Sequence, residues 1–309
     1  MYRYYLTGLT LKLFSCCGFS KSVYRIIGNS IGAKRRAEGL LPYYYVVRVK
    51  RLVDSIAKYN LFKNGGKILE MGTGWMHWEA LTARLFFDFE ATLFDVWDNR
   101  QLSALKNFLR QLEPVLEEFN VSDAKRGQAY RLMKRIALVE SFDKLYELLG
   151  FTYVVDPSGI PNKFEHNSFD AIISAGVLEH VKKEDLPQML SSIRNILKPD
   201  GYSIHSINLR DHLQPYSRMV SSKQYLKYSE EHWKRWLDNE VQYVNRIQQP
   251  QWIDSFENAG FLKVEEECER EKLLPRPVSV SFSSCPRSAL EITWLRLVHT
   301  KGELTEINQ

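Results

Sequence analysis

From Lys67 onward, short apolar runs alternate with stretches of helical period, and this alternation restricts the chain to few folds. The runs fall at residues 67–71, 91–95, 152–155, 170–174 and 201–207, and the tail after Gly260 is expected to return to the sheet with strands at 261–267 and 291–298. Strands that read as continuous apolar runs, without a polar face, are covered on both sides. Helices between such strands force them parallel, because a parallel return needs a crossover. The expected architecture is α/β: a doubly wound, mostly parallel seven-stranded sheet, Rossmann-like in type. A chain of 309 residues is long enough to bury the core of such a sheet.

Two segments exceed a minimal version of that fold. Residues 1–64 read as a helical extension, basic and rich in tyrosine, with Val46, Val49, Leu52, Val53, Ile56 and Ala57 as one apolar helix stripe. Gly65-Gly66 then breaks the chain, so residues 65–309 are expected to form the main domain. Residues 100–150 carry two further helical stripes and are expected to add two or three covering helices. Residues 303–309 are expected to be disordered.

Charge narrows the partners. The net charge is +5, and before Gly65 the only acids are Glu38 and Asp54. Such a start suits an anionic or lipid-linked partner, or else a solvated basic face. The apolar patches near residues 6–19 are too short and broken for a membrane span or an export signal. Cys16, Cys17, Cys268 and Cys285 form no metal or redox motif. A cytoplasmic protein is expected, with peripheral contact at the inner membrane surface left open.

The most informative string is Lys-Ile-Leu-Glu-Met-Gly-Thr-Gly-Trp at 67–75. A strand ends on an acid, and a Gly-x-Gly turn leads into a helix. Gly72 and Gly74 allow close backbone approach to a ligand, and the helix start offers N–H donors. A dinucleotide site would want a third glycine, where this chain has Trp75-Met76-His77. Glu70 would also repel a pyrophosphate, yet it suits an ammonium group. S-adenosylmethionine carries an ammonium and a sulfonium and no phosphate, so this physics favours it. Asp95 at the end of the second strand is placed to accept ribose hydroxyls, with Asp98 as an alternative. Val96 and Trp97 follow, Trp97 suiting the face of an adenine, and Asp156 suits its amino group. Thr73, Ser174 and Ala175 complete the expected cofactor set.

The Glu-x-Gly-x-Gly string, the acidic end of strand two, and Ser168-Phe169-Asp170 leading to Val177-Leu178-Glu179-His180-Val181 together resemble the class I S-adenosylmethionine-dependent methyltransferases. That resemblance covers residues 65–207 and implies that the fourth strand forms the pocket floor. Residues 205–212, Tyr225 to Ser229, Tyr243 to Arg246 and Ala259 to Phe261 more narrowly resemble methyltransferases of bacterial polysaccharide and sugar modification. Those usually carry aspartate where this chain has Asn208.

Methyl transfer is an in-line displacement, and a base is needed only where the acceptor must lose a proton. His212, with Asp211 orienting it or serving elsewhere, is the preferred base; His180 and His205 are alternatives. Asn245 and Arg246 are candidates to hold an anionic group of the acceptor. A metal on His205, Asp211 and His212 matches no strong ligand spacing, so none is expected. The expected reaction is O-methylation of a small-molecule or glycan-like acceptor. Aminopropyl transfer on the same fold and a non-catalytic scaffold are the alternatives. Ser174-Ala175-Gly176-Val177 stands where a nucleic-acid base methyltransferase would carry Asn/Asp-Pro-Pro-aromatic, so no nucleic acid is expected.

Overall fold

Seven strands form one sheet in the order β3-β2-β1-β4-β5-β7-β6. The computed structural model describes residues 2–62, 65–217, 219–272 and 274–301. The strands are β1 (Lys67–Met71), β2 (Glu90–Asp95), β3 (Phe151–Val155), β4 (Phe169–Ala175), β5 (Leu197–Asn208), β6 (Leu262–Arg270) and β7 (Ile292–Thr300). β1 pairs in parallel with β2 and β4, and β2 with β3. β6 and β7 are antiparallel. The order therefore reverses between β1 and β4, the place where open α/β sheets bind ligands beyond the strand carboxyl ends. The expected mostly parallel seven-stranded sheet is present.

β5 starts earlier than the sequence suggested, at Leu197. Lys198-Pro199-Asp200-Gly201, which looks like a turn, lies within the strand. The Lys198 ammonium pairs with Asp170 at 2.7 Å, and a side chain at Gly201 would press against Leu197 and the Asp170 carbonyl.

The chain divides into two compact units: the described parts of residues 29–175 with 195–203, and those of 1–28, 176–194 and 204–309. In the first, α3 (Tyr43–Tyr59) buries Val46, Val49, Leu52, Val53 and Ile56. Each such side chain contributes about 1.5–3 kcal/mol on burial. The buried stripe takes in Ser55 rather than Ala57: Ala57 is exposed, while Ser55 is buried and its hydroxyl donates to Arg51 O at 2.7 Å. α4 (Trp78–Phe86) is nearly all buried, and Arg48 of α3 pairs with Glu79 of α4. The 100–150 segment supplies α5 (Leu102–Leu112), α6 (Asp123–Ala137) and α7 (Phe142–Leu149), with a 3-10 turn at Glu113–Glu118. Ser122 and Ser141 cap α6 and α7 by accepting the Lys125 and Lys144 N–H groups.

In the second unit, α1 (Tyr2–Phe14) is part of the core. Tyr4 and Leu11 are buried in a cluster with Leu213, Tyr225, Tyr228, Trp233 and Phe282. Tyr4 stacks on Tyr228 with ring centres 6.0 Å apart. α2 (Gly18–Glu38) has residues in both units and buries no side chain fully. The remaining helices include α8 (Leu186–Ile196), α9 (Glu230–Trp236), α10 (Gln249–Asn258) and α11 (Arg287–Leu290). Among the described residues, no helix is long and apolar enough to cross a membrane. Residues 303–309, expected to be disordered, lie outside the described residues.

Candidate functional site

At the carboxyl end of β1 the chain turns on two glycines, Gly72 and Gly74, both with φ of 63°. That left-handed backbone disfavours any side chain, so the sequence Gly-x-Gly fixes the turn. The turn is tied to β2, where Phe94 O accepts the N–H groups of Gly72 at 2.8 Å and Thr73 at 3.3 Å. Asp95 closes it: one carboxylate oxygen accepts Gly74 N–H at 2.8 Å and the other accepts Val96 N–H at 2.7 Å. Burial raises the Asp95 pKa, and these N–H donors partly offset that.

Glu70 lies behind the turn, 2% exposed. Its carboxylate accepts the Ala80 N–H in the first turn of α4 at 2.9 Å, a helix start that favours negative charge. Burial, and then the nearby Glu79 charge, raise its pKa well above the usual carboxylate range. Trp97 and Val96 follow Asp95 directly. The Asn99 amide, oriented to satisfy both neighbours, donates to Gly74 O at 3.1 Å and accepts the Trp97 ring N–H at 2.9 Å. Asp98 pairs with Arg100 at 2.7 Å. Asp156, beyond β3, pairs with Lys163 at 2.7 Å and accepts Ser158 N–H, and these hold its pKa down to about 2. Ser174 and Ala175 end β4, and Ser174 is in register with Met71 of β1. The expected cofactor residues from β1, β2 and β4 thus belong to one set of neighbouring strand ends.

Two residues that sequence reasoning passed over complete this turn. His77, fully buried with φ of 53°, shares one ring nitrogen with the Thr73 hydroxyl at 2.7 Å and the other with the Tyr146 hydroxyl at 2.8 Å. Burial pushes its pKa down to about 3, so the ring is neutral and links the turn to α7. Its place just after Gly-x-Gly was visible; its partner on α7 was not. Arg36, from the basic α2, lies over the Trp75 ring at 3.7 Å and donates to Gln101 at 2.8 Å. Its Nη2 is buried without a hydrogen-bond partner among the described residues.

The other predicted residues follow β4 and β5. Gly176, with φ of 71°, leads into a short 3-10 turn, Leu178–His180. His180 is exposed, and its Nδ1 donates to Tyr243 O at 2.6 Å. Its ring lies 4.9 Å from that of His212. Asn208 Oδ1 accepts Arg210 N–H, so the Asn208 amide nitrogen faces His212 Nε2, at 3.2 Å. Burial, with His180 beside it, pushes the His212 pKa down to about 3.

Asp211 is directed elsewhere. It accepts the Tyr4 hydroxyl at 2.5 Å and Leu213 N–H at 2.8 Å. Burial raises its pKa to about 6. His205 is fully buried and packs against Phe256, with ring centres 5.5 Å apart. Asn245 donates to Leu178 O and Val181 O at 2.9 and 3.0 Å, and its backbone N–H donates to Glu179 O. Arg246 is 4% exposed, donates to Tyr225 O and Tyr228 O, and pairs with Glu230. Asn245 and Arg246 therefore spend their polar atoms inside the protein, fixing loops, because each follows a turn whose carbonyls need donors.

A family model described as a methyltransferase domain matches residues 43–266. A search of curated protein sequences returns no match. Among solved structures, the chain is similar to a Haemonchus contortus phosphoethanolamine N-methyltransferase 2 bound to phosphomonomethylethanolamine and S-adenosylhomocysteine. Identity is 17% and the TM-score 0.48, over 88% of this chain and 57% of that one. It is also similar to a Burkholderia thailandensis 1,6-didemethyltoxoflavin-N1-methyltransferase, at 13% identity and a TM-score of 0.45, over 91% and 90% of the two chains. A putative sarcosine dimethylglycine methyltransferase from Galdieria sulphuraria gives 12% identity and a TM-score of 0.47, over 83% and 86%. This chain spans about half the length of the first structures it matches, 49% for a CurJ carbon methyltransferase and 57% for the Haemonchus enzyme. These names lend the narrower sugar-modification resemblance no support, and at such similarity they carry nothing about ligand or acceptor.

Proposed function

The chain belongs to the methyltransferase-domain family, and from that premise we propose that it is an S-adenosylmethionine-dependent methyltransferase acting on a hydroxyl oxygen of a small-molecule or glycan-like acceptor. The carrying observation is the Gly72–Gly74 turn gripped by Asp95, with buried Glu70 just before it and Trp75, not a third glycine, after it. An ammonium beside Glu70 favours its ionised form against the burial that raises its pKa, whereas a phosphate there would oppose it. Asp95, already ordered by two N–H donors, presents an acceptor edge for ribose hydroxyls. The buried Nη2 of Arg36 suits the carboxylate of the amino-acid end.

When bound, the cofactor supplies a methyl group activated by a sulfonium. The protein must bring the acceptor oxygen into line with that methyl and keep water out; positioning of this kind contributes several kcal/mol, about 7–11 at its limit. The acceptor oxygen bonds to the methyl carbon as the methyl–sulfur bond breaks, the pair stays on sulfur, and the oxygen loses its proton. The proton-handling groups in this reading are His180 and His212, with Asn208 holding the His212 ring. The basic α1–α2 segment suits an anionic or lipid-linked acceptor.

Calorimetric titration with S-adenosylmethionine and S-adenosylhomocysteine tests the reading. Micromolar binding is expected, weakened about 30-fold or more in Asp95→Ala and Glu70→Ala and about 10-fold in Arg36→Ala. A folded wild-type protein that binds neither compound overturns it.

A further inference from the structure

Glu179, His180 and His212 place a carboxylate oxygen and two imidazole nitrogens all within 4.8 Å of one another. The spacing is not local: Glu179 and His180 follow β4, and His212 lies beyond β5. We propose that these three residues form a binding site for a divalent first-row cation, of the Zn2+ or Mn2+ kind, with coordination positions left open for a further oxygen ligand. Two imidazoles and one carboxylate are the donor set such cations take, and an incomplete set leaves room for an oxygen ligand. Bonds to the metal of about 2.0–2.2 Å put three donors around one ion about 3.1–3.8 Å apart, so side-chain adjustments of about an ångström close the site.

The surroundings are built for it. Glu179 is 3% exposed, and a carboxylate this buried is stabilised by positive charge beside it. Its Oε1 also accepts Asn208 N–H at 3.2 Å, so the Asn208 backbone holds the carboxylate, while the Asn208 amide that donates to His212 Nε2 must turn away for that nitrogen to take an ion. The Tyr243 carbonyl fixes the proton on His180 Nδ1, which leaves Nε2 with its lone pair outward; a carbonyl behind a ligating histidine is the usual outer-shell partner. Asn245 clamps the turn through Leu178, Glu179 and Val181. His180 is exposed, which gives the ion a way in.

The place of the ion rests on these residues alone; its task rests on the methyl-transfer reading. A hydroxyl bound to the cation loses its proton to water more readily, and its oxygen is then a better nucleophile.

The test is calorimetric titration of chelator-treated full-length protein with Zn2+ and Mn2+, and Co2+ absorption spectra of wild type, Glu179→Gln, His212→Ala and Asp95→Ala. One equivalent bound at micromolar affinity or tighter is expected. Glu179→Gln and His212→Ala should weaken it at least 30-fold and remove the Co2+ visible bands, while still binding S-adenosylhomocysteine. Asp95→Ala should keep the metal while losing the cofactor, so failure of one reading is visible apart from failure of the other. No binding by folded wild-type protein, or binding that both cluster variants retain, overturns the metal site.

Discussion

Two turns at the carboxyl ends of neighbouring strands, Gly72–Gly74 after β1 and Gly176–His180 after β4, are built in opposite ways. The first is closed by near neighbours in sequence: Phe94 and Asp95 of β2 take its N–H groups, and His77 of its own helix start braces it. The second is assembled from distant chain: Tyr243 and Asn245 hold its backbone and ring, Asn208 reaches it from the end of β5, and His212 lies beyond β5. A turn whose partners lie on the adjacent strand can be read as a motif. A turn whose partners arrive through loops can be read only once the loops are placed.

The sharpest way to break this comparison is to exchange the losses. Asp95→Ala should lower S-adenosylhomocysteine affinity at least 30-fold in calorimetry. His212→Ala should leave that affinity within about two-fold and lower kcat about 100-fold or more. If both variants lose the same quantity, the two turns do not have separate tasks.

A smaller effect is expected one layer out. His77→Leu fills the same buried space but removes both ring hydrogen bonds, and Tyr146→Phe removes one of them. Affinity for S-adenosylhomocysteine should fall about 10-fold and about 3-fold respectively. Equal affinities in all three proteins would mean that the glycines and Asp95 hold the turn unaided.

The neighbourhood of the second turn carries a pH signature. Burial raises the Asp211 pKa to about 6 in the folded protein, against about 3.9 unfolded. The folded state therefore binds more protons than the unfolded state between those values. Its contribution is fully present below about pH 3.9 and is lost as pH rises through about 6, by up to about 3 kcal/mol. Thermal melts from pH 4 to 7 should show this fall in wild type and lack it in Asp211→Asn. The Tyr4 hydroxyl favours the ionised Asp211, so Tyr4→Phe should move the fall to higher pH; an unmoved fall would detach α1 from Asp211.

The smallest effect is expected at Asp156. Lys163→Ala frees its carboxylate from an exposed ion pair, and cofactor affinity should change by no more than about two-fold. A ten-fold change would give Asp156 a larger part than either turn suggests.

Much of this was legible from residues alone. Apolar runs marked β1, β2, β4 and β7, because a strand buried on both faces has no polar side to disguise it, whereas β6, with one lysine and three glutamates in Leu262–Glu267 and no buried residue, was read from its place after Gly260. Gly72, Gly74 and Asp95 were legible because left-handed backbone and a strand-end acid are local requirements. The errors were also physical. Ala57 was read into an apolar stripe that instead takes in Ser55, whose hydroxyl is satisfied by its own helix and can be buried. Lys198 to Gly201 resembled a turn but runs as strand, with Lys198 paired to Asp170.

Charged and polar side chains were the hardest to place, since their type does not say where their partners are. Arg246 looked like an anion site and instead donates to two carbonyls over the Trp233 ring. Asp211 looked like a partner for the histidine beside it and instead takes a hydroxyl from Tyr4, at the far end of the sequence. Glu179 drew no attention as a ligand, although it belongs to the cluster with His180 and His212.

By itself, the sequence determined which segments are strand and helix and where the glycine turn stands, because period, burial and backbone strain act over a few residues. Only the tertiary structure decided which polar group meets which. Hydrogen bonds and ion pairs act within about 3–4 Å, and contacts between residues that far apart in sequence are set by the path of the whole chain.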